Sequence, residues 1–89
     1  MIDFKIKVTP EQSEIVQNTL QKLGVKWPLQ DKFMVRHLDK TGLHISNNFI
    51  YWSYGGDFED DPAFELSFED FVNEYCIGEK LKLIWAEKH

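Results

Sequence analysis

The sequence predicts an α+β fold: one small domain in the order β-α-β-β-β-α-β, with a mainly antiparallel sheet and two helices on one of its faces. Three features predict it. Helix-start signals stand at Thr9 and Ser67, and residues 33–54 between them are rich in β-branched and aromatic side chains interrupted by two turn signals. At 89 residues the chain has room for a single domain, read as 1–89.

The first strand is read from "IDFKIKV", where Phe4, Ile6 and Val8 alternate with Asp3, Lys5 and Lys7. "TPEQ" then opens a helix: Thr9 caps it, Pro10 suits the first helical position, and Gln12 completes a Thr-x-x-Gln capping box. Ile15, Val16, Leu20 and Leu23 make its apolar stripe, and Gly24 ends it. "VKWPLQDK" is a loop in which Trp27, preceding a proline, is expected to be extended.

"FMVRHL", "LHISN" and "FIYWSY" read as three strands of a meander. "DKTG" suits a type I turn from Asp39 to Gly42, and "NN" a tight hairpin needing positive φ. Closing Leu38 on Leu43 sets His37 opposite His44 and Arg36 opposite Ile45. Closing Ser46 on Phe49 sets His44 opposite Tyr51, Ile45 opposite Ile50 and Leu43 opposite Trp52. Leu38, Leu43, Ile45, Ile50 and Trp52 then share the core face, and His37, His44 and Tyr51 form a row on the other, with Phe49 and Ser46 beside it.

"GGDFEDDPAFE" is read as a loop. Ser67 caps the second helix, Asp70 sits three residues on, Leu66 and Phe71 staple its entry, and Phe68, Phe71, Val72 and Tyr75 are its buried stripe before Gly78. Glu69 and Asp70 fall in its first turn, where carboxylates meet the helix dipole favourably. The tail "EKLKLIWAE" alternates as a final strand.

Composition narrows the functional classes. Seven Phe, three Tyr and three Trp supply enough buried area for a core in so short a chain. Cys76 stands alone, so no internal disulfide forms, which fits a reducing compartment. No leader-like segment and no apolar run of spanning length is present, so the expectation is a soluble, cytoplasmic protein with no membrane partner. Net charge is −5, unevenly spread: residues 41–78 carry eight acids and no Lys or Arg. That acidic middle disfavours direct nucleic-acid binding.

The chemical motifs fail one by one. Counted from Asp57, a calcium loop needs glycine sixth and glutamate twelfth, where Pro62 and Phe68 stand. His37, His44, His89 and Cys76 lack zinc-ligand spacing, so no metal is assigned. Cys76 is read as a buried structural thiol, no serine sits in a nucleophile elbow, and Gly55-Gly56 lacks the spacing and base of a phosphate loop. No cofactor and no enzymatic activity are expected. What remains is the segment Asp57, Phe58, Glu59, Asp60, Asp61, Phe64 and Glu65, which with Trp27 combines charge and aromatic anchors as interfaces do. Its plain alternative is that the phenylalanines fold onto the core and leave a solvated acidic ridge.

"FKIKVTPEQSEIVQNTLQKLGVKW" at residues 4–27 and "ELSFEDF" at 65–71 resemble small proteins of tailed bacteriophages and prophages, over about a third of the chain. The resemblance carries no catalytic or binding residues; it implies an accessory protein acting in the host cytoplasm. The expectation is therefore a non-enzymatic protein that binds and inhibits a host protein with a basic surface, one of antiviral defence included. Two alternatives stand beside it. One is capture of a small nucleotide-like ligand on the His37, His44 and Tyr51 face, which a homodimer would close. The other is an immunity or antitoxin role against a basic nuclease.

Overall fold

The computed structural model describes residues 2–30, 32 and 34–76. They form an α+β fold in which three antiparallel strands make one sheet and helices pack on it. In chain order the elements are β1 (Phe4–Lys7), α1 (Pro10–Lys22), β2 (Gly42–Ser46), β3 (Phe49–Ser53), α2 (Gly55–Asp60) and α3 (Phe68–Tyr75). The sheet runs β1-β2-β3.

The helix termini follow local chemistry. Thr9 Oγ1 accepts from the Gln12 amide at 3.2 Å while the Thr9 amide donates to Gln12 Oε1 at 3.1 Å, so both halves of the capping box are made. At the other end Gly24 takes φ +90°, and the amides of Val25 and Gly24 donate to the carbonyls of Leu20 and Gln21, closing a Schellman turn. Ser67 caps α3 by accepting from the Asp70 amide at 3.1 Å. The hairpin is equally local: Asn47 and Asn48 have φ +54° and +67°, a type I′ turn whose twist matches the strands. Its register is the expected one, Leu43↔Trp52, His44↔Tyr51, Ile45↔Ile50 and Ser46↔Phe49.

The core lies between one sheet face and the pair α1 and α3. Phe4, Ile6, Leu43, Ile45 and Ile50 meet Val16 and Leu20 of α1 and Phe71 and Val72 of α3. Each such side chain contributes about 1.5–3 kcal/mol on full burial. Cys76 is buried at the end of α3, with its sulfur 3.4 Å from Thr19 Oγ1.

Three expectations are corrected. The strand at 33–38 does not form: residues 34–37 have no regular structure, and the β2 edge it was to occupy is taken by β1, with Phe4↔Ile45 and Lys5↔His44 among the partners. The pairings His37 with His44 and Arg36 with Ile45 therefore do not exist. The segment is held by helix side chains instead. Gln17 accepts from the Arg36 amide at 2.8 Å and donates to the Arg36 carbonyl at 2.7 Å, and Gln21 does the same for Met34 at 2.9 and 2.7 Å. Alternate residues of an extended chain are about 6.7 Å apart and helix residues i, i+4 about 6 Å, so the two amides match the spacing of a neighbouring strand. Second, the turn after this segment closes from His37 to Lys40 rather than from Asp39 to Gly42, which lies inside β2. Third, "GGDFED" is the short helix α2, not a loop. The expected tail strand lies outside the described residues.

Short bridges cover both sheet edges. The Lys5 amide donates to the Phe64 carbonyl and the Leu66 amide to the Lys5 carbonyl, each at 2.8 Å. On the far side the Ile50 amide donates to the Lys26 carbonyl at 2.9 Å and Lys26 to Asn48 at 3.2 Å. These contacts pin the acidic segment to β1 and the loop before Trp27 to β3.

Candidate functional site

The sheet face turned away from the core carries Lys5, His44 and Tyr51 in one cross-strand row and Lys7, Gly42 and Ser53 in the next. It was expected to be open. α2 lies across it instead, and Gly42 is what lets it approach: a Cβ there would stand 2.5 Å from Phe58 Cδ2 and 2.7 Å from the Ser53 carbonyl. Phe58 is 2% exposed as a result.

Lys5 anchors this arrangement. It is buried, its ammonium donates to the carbonyls of Phe58 at 2.7 Å and Asp61 at 2.9 Å, and it sits 4.7 Å from the centre of the Phe58 ring. Those carbonyls end α2, which has no basic residue in its own last turn. A cation from β1 thus supplies what the C-terminal end of a helix favours. Lys7 pairs with Glu59 at 3.0 Å, and that hydrogen bond and charge raise its ammonium above the ordinary value of 10.5. His44 Nδ1 lies 2.8 Å from Asp61 Oδ2, and its Nε2 3.4 Å from Asp3 Oδ1. Asp61 also accepts from the Ala63 amide at 2.9 Å, which fixes the turn out of α2.

Two groups of residues that the sequence left apart, the acidic segment and the His44 face, are therefore one assembly. Within it the candidate residues divide by burial. Phe58 and Trp27 are buried, the first on Gly42 and the second with its indole N–H donating to Gln17 at 2.9 Å, so neither is an exposed anchor. Glu59 and Asp61 are engaged internally. Asp57, Asp60 and Glu65 are exposed, and among the described residues no cation forms an ion pair with them. Phe64 is 69% exposed although its carbonyl is fixed to β1.

The expected row of His37, His44 and Tyr51 is likewise divided. His44 and Tyr51 are neighbours, with ring centres 6.4 Å apart. His37 is on the core side of the sheet, 5.0 Å from Trp27 and 5.9 Å from Trp52, because the strand that was to carry it does not exist. It adopts φ +55°, a conformation uncommon for any residue but glycine. Sequence reasoning missed Lys5, which periodicity marks only as a residue of the outward face, and Gly42, which reads as the end of a turn. It also missed Gln17, whose position within the apolar stripe of α1 was the available signal. Among the described residues no group of three or more His, Cys, Asp or Glu is arranged to hold a metal ion, and no helix is long and apolar enough to cross a membrane. No protein-family model, no curated protein and no solved structure matches the chain.

Proposed function

We propose that this chain is a non-enzymatic accessory protein, of the phage or prophage kind its sequence resembles, that binds and inhibits a host protein through the acidic edge formed by Asp57, Asp60, Phe64 and Glu65. The observation that carries the reading is Phe64: a large apolar side chain held in the open on a backbone bonded to β1, near carboxylates that form no ion pair among the described residues. An aromatic anchor on a pre-ordered backbone lowers the ordering cost of association, and the flanking charge steers a basic partner and rejects acidic ones. Nothing in the exposed set supplies a nucleophile activated by a base, so a binding role fits the residues better than a catalytic one.

The structure also indicates which residues to change. Glu59 and Asp61 hold the assembly together, so the informative variant combines Asp57→Asn, Asp60→Asn, Glu65→Gln and Phe64→Ala. Tagged wild type and variant are passed over host lysate at low and at raised salt. A host protein retained by the wild type, released by salt and lost with the variant supports the proposal; one retained equally by both refutes it.

A further inference from the structure

At the β3 edge of the sheet, opposite the β1 edge that holds Phe64 and Glu65, is a notch of about 250 Å³ lined by Trp27, Pro28, Arg36, His37, Tyr51 and Trp52 along with Ile50. We infer that this notch binds a small planar anion, with a nucleoside monophosphate as its representative: the base stacks on Trp52 and His37, and the phosphate meets Arg36.

Four observations carry the inference. The walls are ring systems: His37 lies between Trp27 and Trp52, and Trp52 stacks on Tyr54 with centres 5.8 Å apart and planes 19° from parallel. Trp52 is 43% exposed, so part of its ring remains accessible from the notch. The lining also carries a cation, Arg36. Arg36 makes no ion pair among the described residues, whereas Lys40, beside the notch with its Nζ 4.3 Å from the Trp52 ring centre, is paired with Asp39 at 3.5 Å. A planar guanidinium beside aromatic rings suits a phosphate next to a base.

The notch is also built rather than incidental. One fully buried amide, Gln17, holds the Trp27 indole at 2.9 Å and both main-chain groups of Arg36, and is itself held by donation to Ser13 at 2.9 Å. It thereby fixes the two sides of the notch relative to each other, as a pre-organised binding site requires. Finally, His37 is kept in a left-handed conformation, which costs stability and is common where a site needs a side chain aimed in one direction. The volume is below that of ordinary drug-sized pockets, so it suits one ring system with its charged group outside. A larger cleft, about 470 Å³ beside Lys7, is a weaker candidate: its Thr9 and Gln12 are engaged in the helix cap and its lysine with Glu59.

The inference is independent of the acidic edge, and the test keeps the two apart. AMP, GMP, CMP and UMP are titrated into the whole protein, with binding followed by tryptophan fluorescence and calorimetry. Arg36→Gln and Trp52→Ala alter exposed side chains, and circular dichroism checks that each remains folded. At least one nucleotide is expected to bind, with each variant weakening it by roughly tenfold, the scale of a stacked base or a charge-assisted phosphate contact. The corresponding nucleoside and inorganic phosphate alone should each bind more weakly than the nucleotide. The acidic-edge variant should bind the nucleotide as the wild type does. No saturable binding of any of the four at millimolar concentration overturns the inference, as does binding that survives both substitutions. A short single-stranded oligonucleotide that binds far more tightly than its mononucleotide overturns the assignment to a small ligand.

Discussion

Lys5 was legible in the sequence as the outward-facing member of an alternating strand, and its orientation is as expected. Its environment is not, because the helix that covers it comes from residues more than fifty positions away and periodicity carries no information about that meeting. With its ammonium on the carbonyls that end α2, Lys5 is a structural residue of the acidic edge. Lys5→Met keeps the stem on Phe58 and removes the donors, so it should lower unfolding stability in urea by about 1.5–3 kcal/mol, the range for hydrogen bonds made by a charged group. A change below about 0.5 kcal/mol would mean that water replaces the ammonium and that Lys5 does not hold α2.

The elements divide according to how local their causes are. α1, α3 and the β2–β3 hairpin were legible to within a residue or two, since caps, a Schellman turn and an Asn-Asn I′ turn are each written in adjacent positions. The segment 34–38 was misread because its β-rich composition satisfies a neighbour without saying which one. β1 occupies that edge of β2, and the backbone groups of Met34 and Arg36 are taken up by two glutamines instead. The two are not equivalent. Gln17 is fully buried and serves three partners in Trp27, Arg36 and Ser13, whereas the bonds from Gln21 to Met34 are exposed. Gln17→Leu should therefore cost about 3 kcal/mol or more, by stranding an indole N–H and two main-chain groups, while Gln21→Leu should cost under about 1 kcal/mol because water can replace it. Equal losses in parallel urea melts would show that burial does not decide the value of these bonds.

For the whole molecule, the two sheet edges differ in chemistry: exposed acids and Phe64 lie along β1 and α2, and aromatic rings with Arg36 line a notch beside β3. Two groups tie stability to alkaline pH. Lys7 has its ammonium raised above 10.5 by Glu59, and Tyr75 has its phenol raised above 10.0 by burial and then by the charge of Glu74. In both cases the folded protein holds its proton more tightly than the unfolded chain, so stability falls as pH rises. The contribution of Lys7 is fully present below the unfolded lysine value and is lost as pH climbs through the folded one; above about pH 10 ionisation of Tyr75 in the unfolded chain acts in the same direction. Melting temperature should thus decline above about pH 10, and Tyr75→Phe should make the decline shallower. An unchanged slope in the variant would exclude Tyr75 as a contributor.

The sequence by itself determined the α+β class, the two capped helices, the hairpin register and the acidic character of residues 57–65. All of these depend on signals a few residues apart, such as a hydroxyl before a helix, a period of two or a pair of asparagines. Only the tertiary structure decided which strand pairs with β2, that α2 closes on Gly42, and that His44 joins the acidic segment while His37 joins the tryptophans. Those outcomes are competitions between distant segments for the same edge, face or buried space. The winner is set by close packing and by satisfying every buried polar group, which a reading of adjacent residues does not contain.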